Sequence, residues 1–203
     1  MMSRQSLLAA TFICVFNTHA NAAEVSFSLQ SRQVTPEEVA DTNGPPDGHL
    51  VHDFFLTTNA DILRIGDVFI EGSGLYNNSI GSNTAPPNPA FITVFPSLAA
   101  DSWITTPGLV TATAGGDLGE PNVSWFDVTD DGPQQNFHFA RLTVAGPCPT
   151  FVFRGVVSVS AANGPEIVPF SIIVFCPEPT SMALLGLGML ATLGVRRRHE
   201  TPR

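Results

Sequence analysis

Phe151-Val152-Phe153-Arg154-Gly155-Val156-Val157-Ser158-Val159-Ser160 is the stretch that decides the fold. Phe151, Phe153, Val157 and Val159 share one side of an extended chain, while Arg154, Ser158 and Ser160 share the other. That two-residue period belongs to a sheet with one wet face. Outward from it, residues 24–175 are punctuated by Gly, Pro, Asn and Asp and hold no helix-period run longer than about two turns. Strand-like runs recur over 25–30, 50–57, 62–71, 91–95, 102–105, 123–128, 137–144, 151–160 and 167–175. About nine strands in one unit predict an all-β fold, a single β-sandwich or jelly roll. Thr35-Pro36-Glu37-Glu38 predicts one helical turn, with threonine as cap and proline first in the helix, and 77–89 predicts a loop.

The chain has 203 residues, 43% hydrophobic and 13% charged, which excludes both a disordered acidic polymer and a uniformly apolar transporter. All nine basic residues are arginine, and only Arg32, Arg64, Arg141 and Arg154 fall in the middle section, against sixteen of the eighteen acids. Such a surface repels phosphate backbones, so nucleic acid is not an expected partner. Without its two apolar ends the chain keeps roughly 155 residues, a size that buries about two-thirds of its unfolded surface.

The ends read as address segments. Arg4, the apolar stretch 7–16 and Ala20-Asn21-Ala22 predict a signal peptide over 1–22, cleaved after Ala22 by signal peptidase on the secretion machinery. Its apolar run is about ten residues, too short to span roughly 30 Å of hydrocarbon. At the other end Pro177-Glu178-Pro179 precedes an uncharged run over 180–195 and then Arg196, Arg197 and Arg198. Sixteen helical residues reach about 24 Å, a short transmembrane segment in the inner membrane if the arginines snorkel. Arginines on the cytoplasmic side put 23–179 outside, with 23–176 as the β-sandwich ectodomain, the topology the signal peptide also gives. Prolines on both sides of Glu178 keep that element extended and open to a membrane enzyme.

The run Pro177-Glu178-Pro179, Thr180-Ser181-Met182-Ala183-Leu184-Leu185-Gly186-Leu187-Gly188-Met189-Leu190-Ala191 and the arginine cluster resemble the PEP-CTERM sorting domain of bacterial exosortase substrates. The resemblance covers 177–203. It implies that an exosortase, a membrane cysteine protease, recognises Pro177, Glu178 and Pro179, cuts at or near them, and passes the ectodomain from the inner membrane to the outer envelope or the extracellular matrix. The middle section, through Ala60-Asp61-Ile62-Leu63, Trp125-Phe126-Asp127 and Phe139-Ala140-Arg141-Leu142-Thr143-Val144, is similar in outline to cohesin-type jelly rolls. That likeness implies a binding or structural module and supplies no catalytic residue.

Within the ectodomain, Cys148 and Cys176 flank the last hairpin, whose turn is expected near 161–164 with Asn163-Gly164 as the turn dipeptide. A disulfide between them suits an oxidising compartment and would contribute roughly 3 to 4 kcal/mol on the chain-entropy model. Asp127, Asp130 and Asp131, followed by Gly132, form the best calcium candidate, though the twelfth position of an EF-hand count is His138 rather than glutamate. An Asp-rich turn is the simpler reading. Asp117 and Glu120 are a weaker acidic pair. His49 and His52 precede Asp53, and on a strand they point to opposite faces, which disfavours a shared metal. There is no nucleophile elbow, no HExxH helix and no glycine-rich phosphate loop, so a non-enzymatic module without cofactors is expected. Trp103, Trp125 and Tyr76 are either core or a stacking platform for sugar rings. The second choice would make the ectodomain a carbohydrate-binding module acting on exopolysaccharide or in adhesion.

Overall fold

The computed structural model describes residues 14–15, 23–72, 74–108, 110–112, 118, 123–145 and 151–174. The strands are β1 (Cys14–Val15), β2 (Val25–Gln33), β3 (Leu50–Thr58), β4 (Ile62–Glu71), β5 (Trp103–Ile104), β6 (Val110–Ala112), β7 (Val123–Asp127), β8 (Gln134–Val144), β9 (Phe151–Ala161) and β10 (Gly164–Val174). They form two antiparallel sheets, ordered β1-β2-β3-β8-β5 and β10-β9-β4-β7-β6. The fold is a β-sandwich.

Alternation makes the core. Val25, Phe27 and Leu29 of β2, Phe54 and Leu56 of β3, and Phe139, Leu142 and Val144 of β8 meet Ile62, Ile65, Trp125, Phe151, Phe153, Val157, Val159 and Phe170 from the other sheet. Phe54 and Phe153 stand edge to face at 4.8 Å, and Phe27 and Phe170 join the sheets at the open side at 5.1 Å. Phe170 lies across from Gly155, where an added Cβ would come within 3.0 Å of its ring, so the glycine leaves room for the aromatic.

Three local features refine the expected layout. The run over 91–95, expected as a strand, is the helix α2 (Pro89–Ile92) followed by a turn. Asn88 caps it by accepting from the Ala90 N–H, and Pro89 sits at the first helical position. The helical turn α1 (Pro36–Ala40) is as expected and carries a full capping box between Thr35 and Glu38. The last hairpin closes at Ala161 and Gly164, so its two loop residues are Ala162 and Asn163, and Gly164 follows at φ +112. The expected turn dipeptide is thus displaced by one residue.

The segment between β4 and β5 folds over the outer face of the first sheet. Its 3-10 turn Pro96–Ala100 packs Ala100 on Val51 and Val34. Buried Asp101 accepts from the Asn78 and Ser82 N–H groups, and Asp41 accepts from the Ser97 N–H and hydroxyl. The outer face of the second sheet carries no such cover among the described residues, and Ile167 and Ile173 are exposed there.

Candidate functional site

Two constellations of polar side chains stand out among the described residues. The first is a chain of charges under the folded-over segment. Glu38 receives both terminal nitrogens of Arg32, at 2.8 and 2.7 Å. Arg32 and Arg141 each donate to the Ala99 carbonyl, at 2.8 and 2.7 Å. Arg141 also donates through Nε to Asp53 Oδ1 at 2.6 Å. His138 Nε2 lies 2.9 Å from the same oxygen, at ion-pair distance but outside hydrogen-bond geometry. His138 is stacked on Phe55 and tilted against Trp103, at 4.7 and 4.6 Å.

Sheet register builds this row. β3 and β8 pair so that Asp53 faces Arg141, and a slip of one residue at Phe139 then brings His138 opposite Phe55. Burial pushes the Asp53 carboxyl up, but the His138 ring and the Arg141 guanidinium outweigh it and hold it below the ordinary aspartate value. Asp53 therefore keeps its negative charge, and the row anchors the outer segment through the Ala99 carbonyl. His52 points the other way, into the core beside Phe151, with Nδ1 2.8 Å from the Ser31 hydroxyl. Burial pushes it down to about 4, against the pull of the Asp53 charge.

The second constellation is the acidic turn. Asp127 Oδ2 accepts from the Gly108 N–H at 2.8 Å, and the Thr129 hydroxyl stands 2.7 Å from both Asp127 Oδ1 and Asp131 Oδ2. Asp61 reaches in from across the sheet and accepts from the Asp131 and Gly132 N–H groups at 3.1 and 3.2 Å. Burial raises the Asp61 carboxyl, and the Asp130 and Asp127 charges add to that rise against those backbone bonds. Thus Asp127 and Asp131 share one hydroxyl, while Asp130 acts on Asp61 only through its charge. These carboxylates serve the turn's own backbone. Among the described residues no three His, Cys, Asp or Glu side chains converge as metal ligands.

Other sequence candidates divide sharply. Trp103 and Trp125 are 1% and 0% exposed, so neither can stack a sugar from solvent. Tyr76 is half-buried, donates to the Asn43 carbonyl and receives the Asn78 side chain. His49, just outside β3, does not join His52 and His138. Cys148, Cys176, Asp117, Glu120, the tail with Pro177, Glu178, Pro179, Arg196, Arg197 and Arg198, and residues 1–13 and 16–22 of the expected signal peptide lie outside the described residues. No helix among the described residues is long and apolar enough to cross a membrane.

Residues 176–198 match the PEP-CTERM protein-sorting motif. The chain carries a PEP-CTERM tail. The match spans the Pro-Glu-Pro element, the apolar run and the three arginines in the expected order, and it marks an exported, membrane-passing protein whose processing partner is an exosortase. It covers the tail alone. No curated protein and no solved structure matches the chain, so the likeness of the ectodomain to cohesins gains no support.

Sequence reasoning missed the Arg32, Asp53, His138 and Arg141 row. Its members are far apart in the chain, and it takes β2–β3 pairing, β3–β8 pairing and the slip at Phe139 to bring them together. A weak signal was present, since Arg32 and Arg141 are half of the ectodomain's four basic residues and each lies in a predicted strand or beside one.

Proposed function

We propose that this protein is made with a leader removed after Ala22, is held in the inner membrane by 180–195, and is released by an exosortase that recognises Pro177, Glu178 and Pro179. The sandwich it delivers then works as a non-enzymatic structural or interaction module of the outer envelope or extracellular matrix. The match of the tail to the sorting motif carries this reading. Two features of the ectodomain support it: its polar clusters are tied up in holding the fold, and its acidic surface stays soluble outside the membrane. Mass spectrometry of the protein recovered from its host tests both cuts. Termini near Ala23 and near Pro177 to Pro179 are expected; an intact Arg203 on every molecule would reduce the tail to a permanent anchor.

A further inference from the structure

On its outer side β2 pairs, among the described residues, with the two-residue β1 alone, and the backbone shows which of its groups face that way. Asn59 N–H donates to the Glu24 carbonyl and Val34 N–H to the His49 carbonyl, so even-numbered residues bond toward β3 and Val25, Phe27, Leu29 and Ser31 point away from it. The edge has no proline and no lysine, the usual guards of an unpaired strand. It also accepts a strand in this structure, since Cys14–Val15 of the leader lies antiparallel along Phe27 and Ser26.

We propose that, once the leader is gone, this edge pairs antiparallel with the same edge of a second copy of the chain, joining the two first sheets across a two-fold axis at Ser28. The proposal rests on the leader cleavage read above. Backbone parity allows that axis: Phe27 then exchanges bonds with Leu29 of the second copy and Val25 with its Ser31. On the outer face the same register sets Ser26 opposite Gln30 and Glu24 opposite Arg32, whose guanidinium already holds Glu38, so no like charges face each other along the seam. The inner row gains as well, because Val25, Phe27 and Leu29 retain 6%, 6% and 8% exposure at the side a second copy would close.

Sedimentation and light scattering of two chains in the same mild detergent test this, one beginning at Ala23 and one carrying the leader. Starting at Ala23 by design separates association from cleavage, which mass spectrometry reads independently. The Ala23 chain is expected to be dimeric with concentration-dependent dissociation and the leader-bearing chain monomeric. Ser28→Lys sets two ammonium groups face to face and should give a monomer of unchanged circular dichroism. Ser28→Cys should cross-link on oxidation, because facing residues of a non-hydrogen-bonded pair have their Cα atoms within disulfide reach. Ser26→Cys should not cross-link alone but should do so when mixed with Gln30→Cys. A monomeric Ala23 chain, a dimer indifferent to Ser28→Lys, or equal cross-linking at positions 26 and 28 would each overturn the proposal.

Discussion

The two strands at the open side of the sandwich, β2 and β10, are edges of opposite kinds. In β10 the two-residue hairpin fixes the parity, so that residues 165, 167, 169, 171 and 173 face away from β9. Two of these are proline, Pro165 and Pro169, each removing a donor from the free side at no cost to the ladder. β2 has no such guard and holds the two-residue β1 instead. The contrast teaches that the same unpaired-edge problem is solved once by composition and once by occupation. A solution by occupation lasts only as long as the occupant.

Phe170→Ala should have the largest effect, about 3 to 5 kcal/mol in urea unfolding, because it empties the contacts with Phe27 and Phe139 that bind this edge strand to the other sheet, and the contact with Phe153 of its own sheet. If its loss loosened β10 alone, with hydrogen exchange of β2 unchanged, the two edges would be independent rather than joined.

Acid should act through His52 of β3, which meets Ser31 of β2. Burial holds its ring at about 4 in the folded chain against the ordinary 6.5 when unfolded, so between those values the unfolded chain binds the proton first. The contribution of this residue is complete above pH 6.5 and drains away as pH falls toward 4, on the order of 3 kcal/mol in total. Denaturation at a series of pH values should show that slope, and His52→Phe should flatten it.

The smallest effect concerns the link between the edges at their ends. The Ala23 nitrogen lies 3.0 Å from Glu166 Oε2 of β10. After cleavage that nitrogen is an ammonium, and Glu166→Gln should then cost up to about 1 kcal/mol. With the leader still attached the same substitution should cost less, since an amide carries no charge. Equal melting-temperature shifts in the two chains would show that the contact is indifferent to processing.

Much of the sandwich was legible because most of its strands alternate cleanly. Residues 151–160 reveal themselves by period alone. The segment 91–95 misled because its β-branched and aromatic residues look strand-like, yet Asn88 and Pro89 start a helix there, and Phe91 and Val94 have no core to face, being 57% and 66% exposed. β4 keeps its expected bounds but hides a bulge at Gly66 and Asp67, where Asp67 takes φ 51 and pairs with Arg64. No period announces an inserted residue. The sorting tail was readable for the opposite reason to the charge row at Asp53: its meaning lies in contiguous order, whereas the row exists only after strands distant in sequence have paired.

The Ala99 carbonyl joins arginines from two regions that are not neighbours in the chain, one following from β2 and one from β8. A peptide oxygen claimed twice couples both arginines to one point of the overlying segment, beside its contacts at Ser97 and Ala100. Letting go there strands two guanidinium groups together, so partial lifting is discouraged and the cover should leave the sheet in one step or stay shut.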